Sequence, residues 1–274
     1  MEKYFIFSDE SGSWSNKSDK FYIRSWVKIK EHDHLYLEGL WKTKKFPKPA
    51  ENSLLKNSNG ISDEFKKVDF KYFFTFTKLD EFYSRKFYVR DKILESVSLV
   101  ISQLENQLKS YMKSKIPAKI QEGINQIMFL NIYEAYHIEN AVNILCEAEN
   151  VFEFYFDKPQ FTENDYLEVF NNQIGNSYKA SLIFARKKEG ESNNLGVYYA
   201  DALASMFRRI LDKQNSTKIV NYLKNNILTK SYAGNIGTNG FNKIFYPVNK
   251  SYGSGELKSE ESNLVNNILS RLNS

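Results

Sequence analysis

The chain has 274 residues, with 38 Lys and Arg against 33 Asp and Glu and a formal charge of +5. A balance so near zero demands no polyanionic partner, yet leaves room for a local basic patch. A hydrophobic fraction of 42% with 15% aromatics excludes a disordered chain and supplies the core of one large domain, or of one domain carrying an insertion.

In chain order, residues 4–8 and 21–29 have the aromatic and β-branched content of two strands, joined by a Ser- and Asn-rich stretch that suits a hairpin. Residues 33–42 read as a short helix, 43–64 as a Pro-, Asn- and Ser-containing loop, and 68–77 as a strand dense in Phe and Tyr. Ile93, Val97, Val100, Ile101, Leu104 and Leu108 then recur at helical spacing over about 79–112. Further helical stretches cover 117–130 and 132–149, so 79–149 is expected to be a helical insertion between segments of sheet. Residues 151–157 and 179–186 read as strands, 196–211 and 216–228 as helices. The Gly- and Asn-rich stretch 229–255 reads as irregular loop, and 257–272 as a closing amphipathic helix. One domain over 1–228, with 229–274 packed upon it, is the expected organisation.

The lone cysteine, Cys146, excludes an intramolecular disulfide; among Ala141, Val142, Ile144 and Leu145 it reads as a buried filler. Met1-Glu2-Lys3-Tyr4 lacks the basic start and apolar stretch of a secretory leader. No run approaches the roughly 18 apolar residues of a membrane span, so a cytoplasmic protein with no membrane contact is expected.

The chemistry lies in the carboxylates. The strand Phe5-Ile6-Phe7-Ser8 ends in Asp9-Glu10-Ser11-Gly12. Carboxylates at the end of a buried strand are costly unless a metal or a turn compensates them, and both explanations stay open for Asp9 alone. Asp157 repeats the arrangement after Phe152, Phe154, Tyr155 and Phe156, and is followed by Lys158-Pro159. Strand ends are where ligand sites gather in α/β sheets. Asp201 falls on the apolar stripe 197, 200, 204, 207 and 211 of its helix, between Ala200 and Ala204. An inward carboxylate costs several kcal/mol unless paired, protonated or metal-bound, and the helix dipole offsets only about 0.3–1 kcal/mol. Hard oxygen donors of this kind suit Mg²⁺ or Mn²⁺. The His32-x-His34 pair and His137 have no context for a zinc site, and no Ser-His-Asp arrangement is supported.

With these segments in hand, the chain resembles the family catalogued as domain of unknown function 3800. The matching elements are Asp9-Glu10-Ser11-Gly12, the central Asp157-Lys158, and the late helix Ala200-Asp201-Ala202-Leu203-Ala204 through Arg208-Arg209. Tyr199 departs from the pattern, since many relatives carry Gln there. The resemblance implies an α/β, RNase H-like fold, a mixed β-sheet flanked by helices and here carrying a helical insertion. Acidic residues would converge in it from the first strand, a central strand and a late helix.

A divalent-metal-dependent nuclease is the expected activity. Asp9, Asp157 and Asp201 would hold Mg²⁺ or Mn²⁺, Glu10 would join them in catalysis, and the reaction would be phosphodiester hydrolysis on DNA or RNA. Ser11, Lys158, Arg186 and Arg208 are the candidates for binding substrate, with Lys187, Lys188 and Arg209 beside them. Solvated strand and helix ends explain the basic residues equally simply. Two other classes stay open: a nucleic-acid-binding module without turnover, and an assembly component whose helical block forms a homodimer or partner-protein interface.

Overall fold

The computed structural model describes residues 1–16, 18–44, 46–79, 133–157, 162–174, 177–185, 194–212, 217–227, 231–235 and 246–247. The larger part of the expected helical block, and the closing helix at 257–272, lie outside the described residues.

Strands β1 (Lys3–Ser11) and β2 (Phe21–Lys30) form the expected hairpin. Its connection turns on Gly12, whose φ of 92° is left-handed; a Cβ there would stand 2.3 Å from the Phe21 carbonyl oxygen. Helix α1 (Glu31–Thr43) follows directly. The segment expected to be a loop contains two short helices instead, α2 (Ala50–Leu55) and α3 (Ile61–Lys66), separated by a 3₁₀ turn at Ser58–Gly60. Their buried faces, Ala50 and Leu54 in α2 and Ile61 and Phe65 in α3, are fixed by tertiary packing that local composition does not reveal.

Strand β3 (Phe70–Lys78) completes an antiparallel run with β2. Helix α4 (Ala135–Leu145) belongs to the expected helical region, and β4 (Val151–Phe156) ends one residue before Asp157. Helix α5 (Glu163–Ile174) occupies a stretch to which the sequence assigned nothing. Strand β5 (Lys179–Phe184), helix α6 (Leu195–Leu211) and helix α7 (Thr217–Asn226) match expectation. The Gly-rich stretch is not wholly irregular: β6 (Ser231–Asn235) pairs parallel to β3, and β7 (Tyr246–Pro247) antiparallel to β6.

The sheet order is β5-β4-β1-β2-β3-β6-β7. β4 and β5 run parallel to β1, whereas β2 runs antiparallel to both its neighbours. Helices cover both faces. On one, α6 and the shorter helices bury Phe5, Phe7, Ile23, Val27, Tyr72, Phe74 and Phe76. On the other, α4 and α5 bury Ile6, Trp26, Phe73, Phe152, Phe154 and Phe156. A mixed sheet with this order, flanked by helices on both faces, is an RNase H-like α/β fold. Among the described residues, no helix is long and apolar enough to cross a membrane.

Candidate active site

Strand alternation decides where each carboxylate points. Phe5 and Phe7 face α6, so Asp9, two residues on, faces α6 as well. In β4, Phe152, Phe154 and Phe156 face α5, which sends Tyr155 and then Asp157 to the α6 side. The Tyr155 ring lies 5.4 Å from that of Phe7, fixing this register on the same face. Ser8 pairs with Phe156, and the Asp157 N–H donates to the Ser8 carbonyl at 3.3 Å. Asp9 and Asp157 are therefore neighbours at the ends of adjacent parallel strands.

Helix α6 brings the third carboxylate across this sheet face. Gly196 lies so close to β1 that a Cβ would stand 2.4 Å from the Phe7 ring, and Asn194 caps the helix by accepting from the Gly196 N–H at 2.7 Å. One turn on, the Ser25 hydroxyl donates to the Ala200 carbonyl at 2.6 Å and lies 3.3 Å from the Asp9 carbonyl. Ser25 is the cross-strand partner of Asp9, so this hydroxyl ties the backbone before Asp201 to the backbone of Asp9.

Asp9 is the buried member, 8% exposed, whereas Asp157 and Asp201 are half-buried. Asp201 therefore sits beside the apolar stripe of its helix rather than beneath it. Burial, first, pushes the Asp9 carboxyl well above the usual carboxylate range, and the charges of Glu10, Asp201 and Asp157 push it further in that order. The hydrogen bond from the Glu10 N–H, 2.8 Å from Asp9 Oδ1, opposes them.

Glu10 is adjacent in sequence but points to the opposite face. Its cross-strand partner is Arg24, whose Nη2 lies 3.2 Å from Glu10 Oε2. Arg24 is 1% exposed and is the hub of a polar network under α4 and α5. It donates to the Ser8, Tyr22 and Tyr166 hydroxyls, pairs with the fully buried Glu134 at 3.1 Å, and lies 4.8 Å from the centre of the Phe156 ring. The carboxylates of Glu134 and Glu10 hold this guanidinium in its charged form against the burial that opposes it. Arg24 and Ser25 are the residues that sequence reasoning missed. A charged residue within Tyr22-Ile23-Arg24-Ser25-Trp26-Val27 was the available signal, because an arginine inside an apolar strand needs partners.

Of the expected substrate-binding residues, Ser11 and Arg208 are described. Ser11 ends β1 opposite Ile23. Arg208 pairs with Asp19 at 3.4 Å, and Arg209 with Glu51 at 2.6 Å, so both make structural contacts. Lys158, Arg186, Lys187 and Lys188 lie outside the described residues. Tyr199 stacks on Phe65 at 3.8 Å within the core. His34 stacks on Phe5 at 3.9 Å, and His137 is buried between Thr75 and Thr77.

The site lies at an acidic end of the sheet. Among the described residues, no three His, Cys, Asp or Glu side chains stand close enough to grip an ion as they lie. The donor set nonetheless fits a hard divalent cation in kind: oxygen ligands only, on one face, with one member pushed above the usual carboxylate range by burial and then by its neighbours' charge.

No protein-family model matches the chain, and no curated protein matches it. Solved structures are similar to it, among them two ribonucleases. The ribonuclease H2 of Pyrococcus horikoshii OT3 is 12% identical, over 81% of this chain and 86% of its own, with a TM-score of 0.40. The structure of the PCNA:RNase HII complex from Archaeoglobus fulgidus aligns at 14% identity, over 82% and 88%, with a TM-score of 0.37. At these scores the likeness carries no weight beside the sheet order and the site geometry.

Proposed function

We propose that this protein is a divalent-metal-dependent nuclease of the cytoplasm, a member of the domain of unknown function 3800 family, hydrolysing phosphodiester bonds in DNA or RNA. The observation that supports this most is the convergence of Asp9, Asp157 and Asp201 from two adjacent parallel strands and one helix upon a single sheet face. Mutually repelling carboxylates raise the free energy of the metal-free fold, and a cation would offset that cost.

Asp9, Asp157 and Asp201 would hold Mg²⁺ or Mn²⁺, which on binding would supply an acidified water and charge stabilisation for the leaving oxygen. The protein's own contribution is positional. Ser25 holds α6 against β1, and Gly196 allows the helix to sit there. Glu10 pairs with Arg24 on the far face, so the three aspartates carry the proposed metal site. A module that binds nucleic acid without turnover has one observation in its favour, the absence of a closed cage among the described residues.

The test is cleavage of labelled single- and double-stranded RNA and DNA with Mg²⁺ or Mn²⁺, wild type beside Asp9→Ala. Metal-dependent cutting that the variant lacks supports the nuclease. Folded protein that binds Mn²⁺ but cuts none of the four substrates favours the binding module.

A further inference from the structure

We propose that Trp41 and Phe46 form a base-stacking platform beside the carboxylates, which makes the substrate a single-stranded nucleic acid. The proposal rests on the nuclease-site reading for its location but not for its test.

Trp41, near the end of α1, and Phe46, in the connection to α2, stack with ring centres 5.8 Å apart and an angle of 16° between their planes. Both rings are half-buried against the core, so each keeps part of its surface open to solvent. Each also touches Tyr198, at 5.9 Å and 6.2 Å between ring centres. Tyr198 lies on α6 one turn before Asp201, and the Asp201 charge acts on its phenol. Tyr198 is itself held in place, since its hydroxyl donates to the Pro47 carbonyl, which also accepts from Ser53 at 2.6 Å. The pair is therefore fixed against the same helix that carries Asp201.

The surrounding charge suits a polyanion. Residues 41–49 contain Lys42, Lys44, Lys45 and Lys48 and no acidic residue. Lys42 and Lys48 are exposed, and Lys44 pairs with Glu64 at 2.9 Å. Of the acids nearest in sequence, Glu51 is engaged by Arg209 and Ser205, and Glu38, one turn before Trp41, lies 3.7 Å from His34. Aromatic faces flanked by lysines are how proteins hold unpaired bases, since every base has a π-face and a duplex hides it. An apolar protein segment would have no use for lysines on both sides of the rings.

The fluorescence of Trp41 provides the readout. The chain has three tryptophans, and Trp14 and Trp26 are buried at 6% and 0% exposure. Single-stranded oligonucleotides are titrated into the full chain in EDTA, so hydrolysis does not enter, with fluorescence and anisotropy followed together. Single strands are expected to quench the emission, and duplexes of the same sequence to do so far less. Trp41→Phe should retain binding without the quench. Trp41→Leu and Phe46→Leu, which keep apolar volume, should each weaken binding by about fivefold to a hundredfold. Lys42→Gln and Lys48→Gln, both at exposed positions, should each lower the log–log salt slope by about 0.7.

Quenching in a protein that cuts nothing with any metal upholds the platform and removes the nuclease. Metal-dependent cutting with unchanged single-strand affinity in Trp41→Leu and Phe46→Leu removes the platform alone. Anisotropy that saturates with no change in tryptophan emission also overturns it.

Discussion

Replacing Asp9 by Asn removes one charge while keeping an oxygen to accept the Glu10 N–H, now 2.8 Å from Oδ1. Asp9 is buried and is pushed well above the usual carboxylate range by burial and then by its acidic neighbours. Adjacent strands lie about 4.8 Å apart. Two carboxylates about 5 Å apart in an effective dielectric of about 20 repel by about 3 kcal/mol. Solvent at the half-exposed Asp157 and Asp201 reduces this to about 1–2 kcal/mol. Asp9→Asn should therefore stabilise the metal-free protein by about 1–2 kcal/mol, a rise in Tm of about 2–8 °C for a chain of this size. The sign with pH follows from linkage. Below the unfolded value of 3.8 both proteins are neutral at this position and equally stable. As pH rises through the raised folded value, the wild type alone acquires the buried charge, and the gap opens in favour of the variant. Thermal melts in EDTA from pH 4 to 8, repeated with Mn²⁺, measure this. Wild type should gain stability with Mn²⁺ and Asp9→Asn little or none. A variant that melts below wild type at pH 8 in EDTA, and gains as much from Mn²⁺, would refute the electrostatic argument.

Arg24→Met leaves Glu134 buried without its cation and should cost about 3–5 kcal/mol by chemical denaturation, with Arg24→Met/Glu134→Gln recovering part of it. Gly196→Ala drives a Cβ to 2.4 Å from the Phe7 ring, so α6 must shift. About 1–3 kcal/mol of stability should be lost, together with activity, because Asp201 moves with the helix. Burial raises the Cys146 thiol to about 12, so the folded protein at pH 8 should resist alkylation that proceeds readily in denaturant.

The carboxylate triple was legible because each aspartate ends or interrupts an apolar segment, and such interruptions survive any tertiary arrangement. The opposite orientations of Asp9 and Glu10 were equally implicit, since neighbouring residues of a strand face opposite ways. Pairing them in one site overlooked that rule, and only the partner on β2 shows where Glu10 goes. Helix α5 also carried its own signal. The Thr162 hydroxyl lies 3.3 Å from the Asp165 N–H, and Asp165 Oδ2 accepts from the Thr162 N–H at 3.2 Å, a reciprocal cap of the Thr-x-x-Asp kind. The short helices α2 and α3 and the strands β6 and β7 were not legible. Their residues have weak local preference, and contacts distant in sequence decide their conformation. The role of Ser25 was hidden for the same reason, since its partner Ala200 lies 175 residues away.

The central claim is that Asp9, Asp157 and Asp201 act as one centre. Its most direct test is the single-turnover cleavage rate, with Mn²⁺ on the best substrate, of Asp9→Asn, Asp157→Asn, Asp201→Asn and the triple variant. Groups that work as a unit are not additive, so each single change should cost about 10³-fold or more and the triple variant should be little slower than the singles. Wild-type rates in any one of the three, or losses that multiply in the triple variant, would contradict the account.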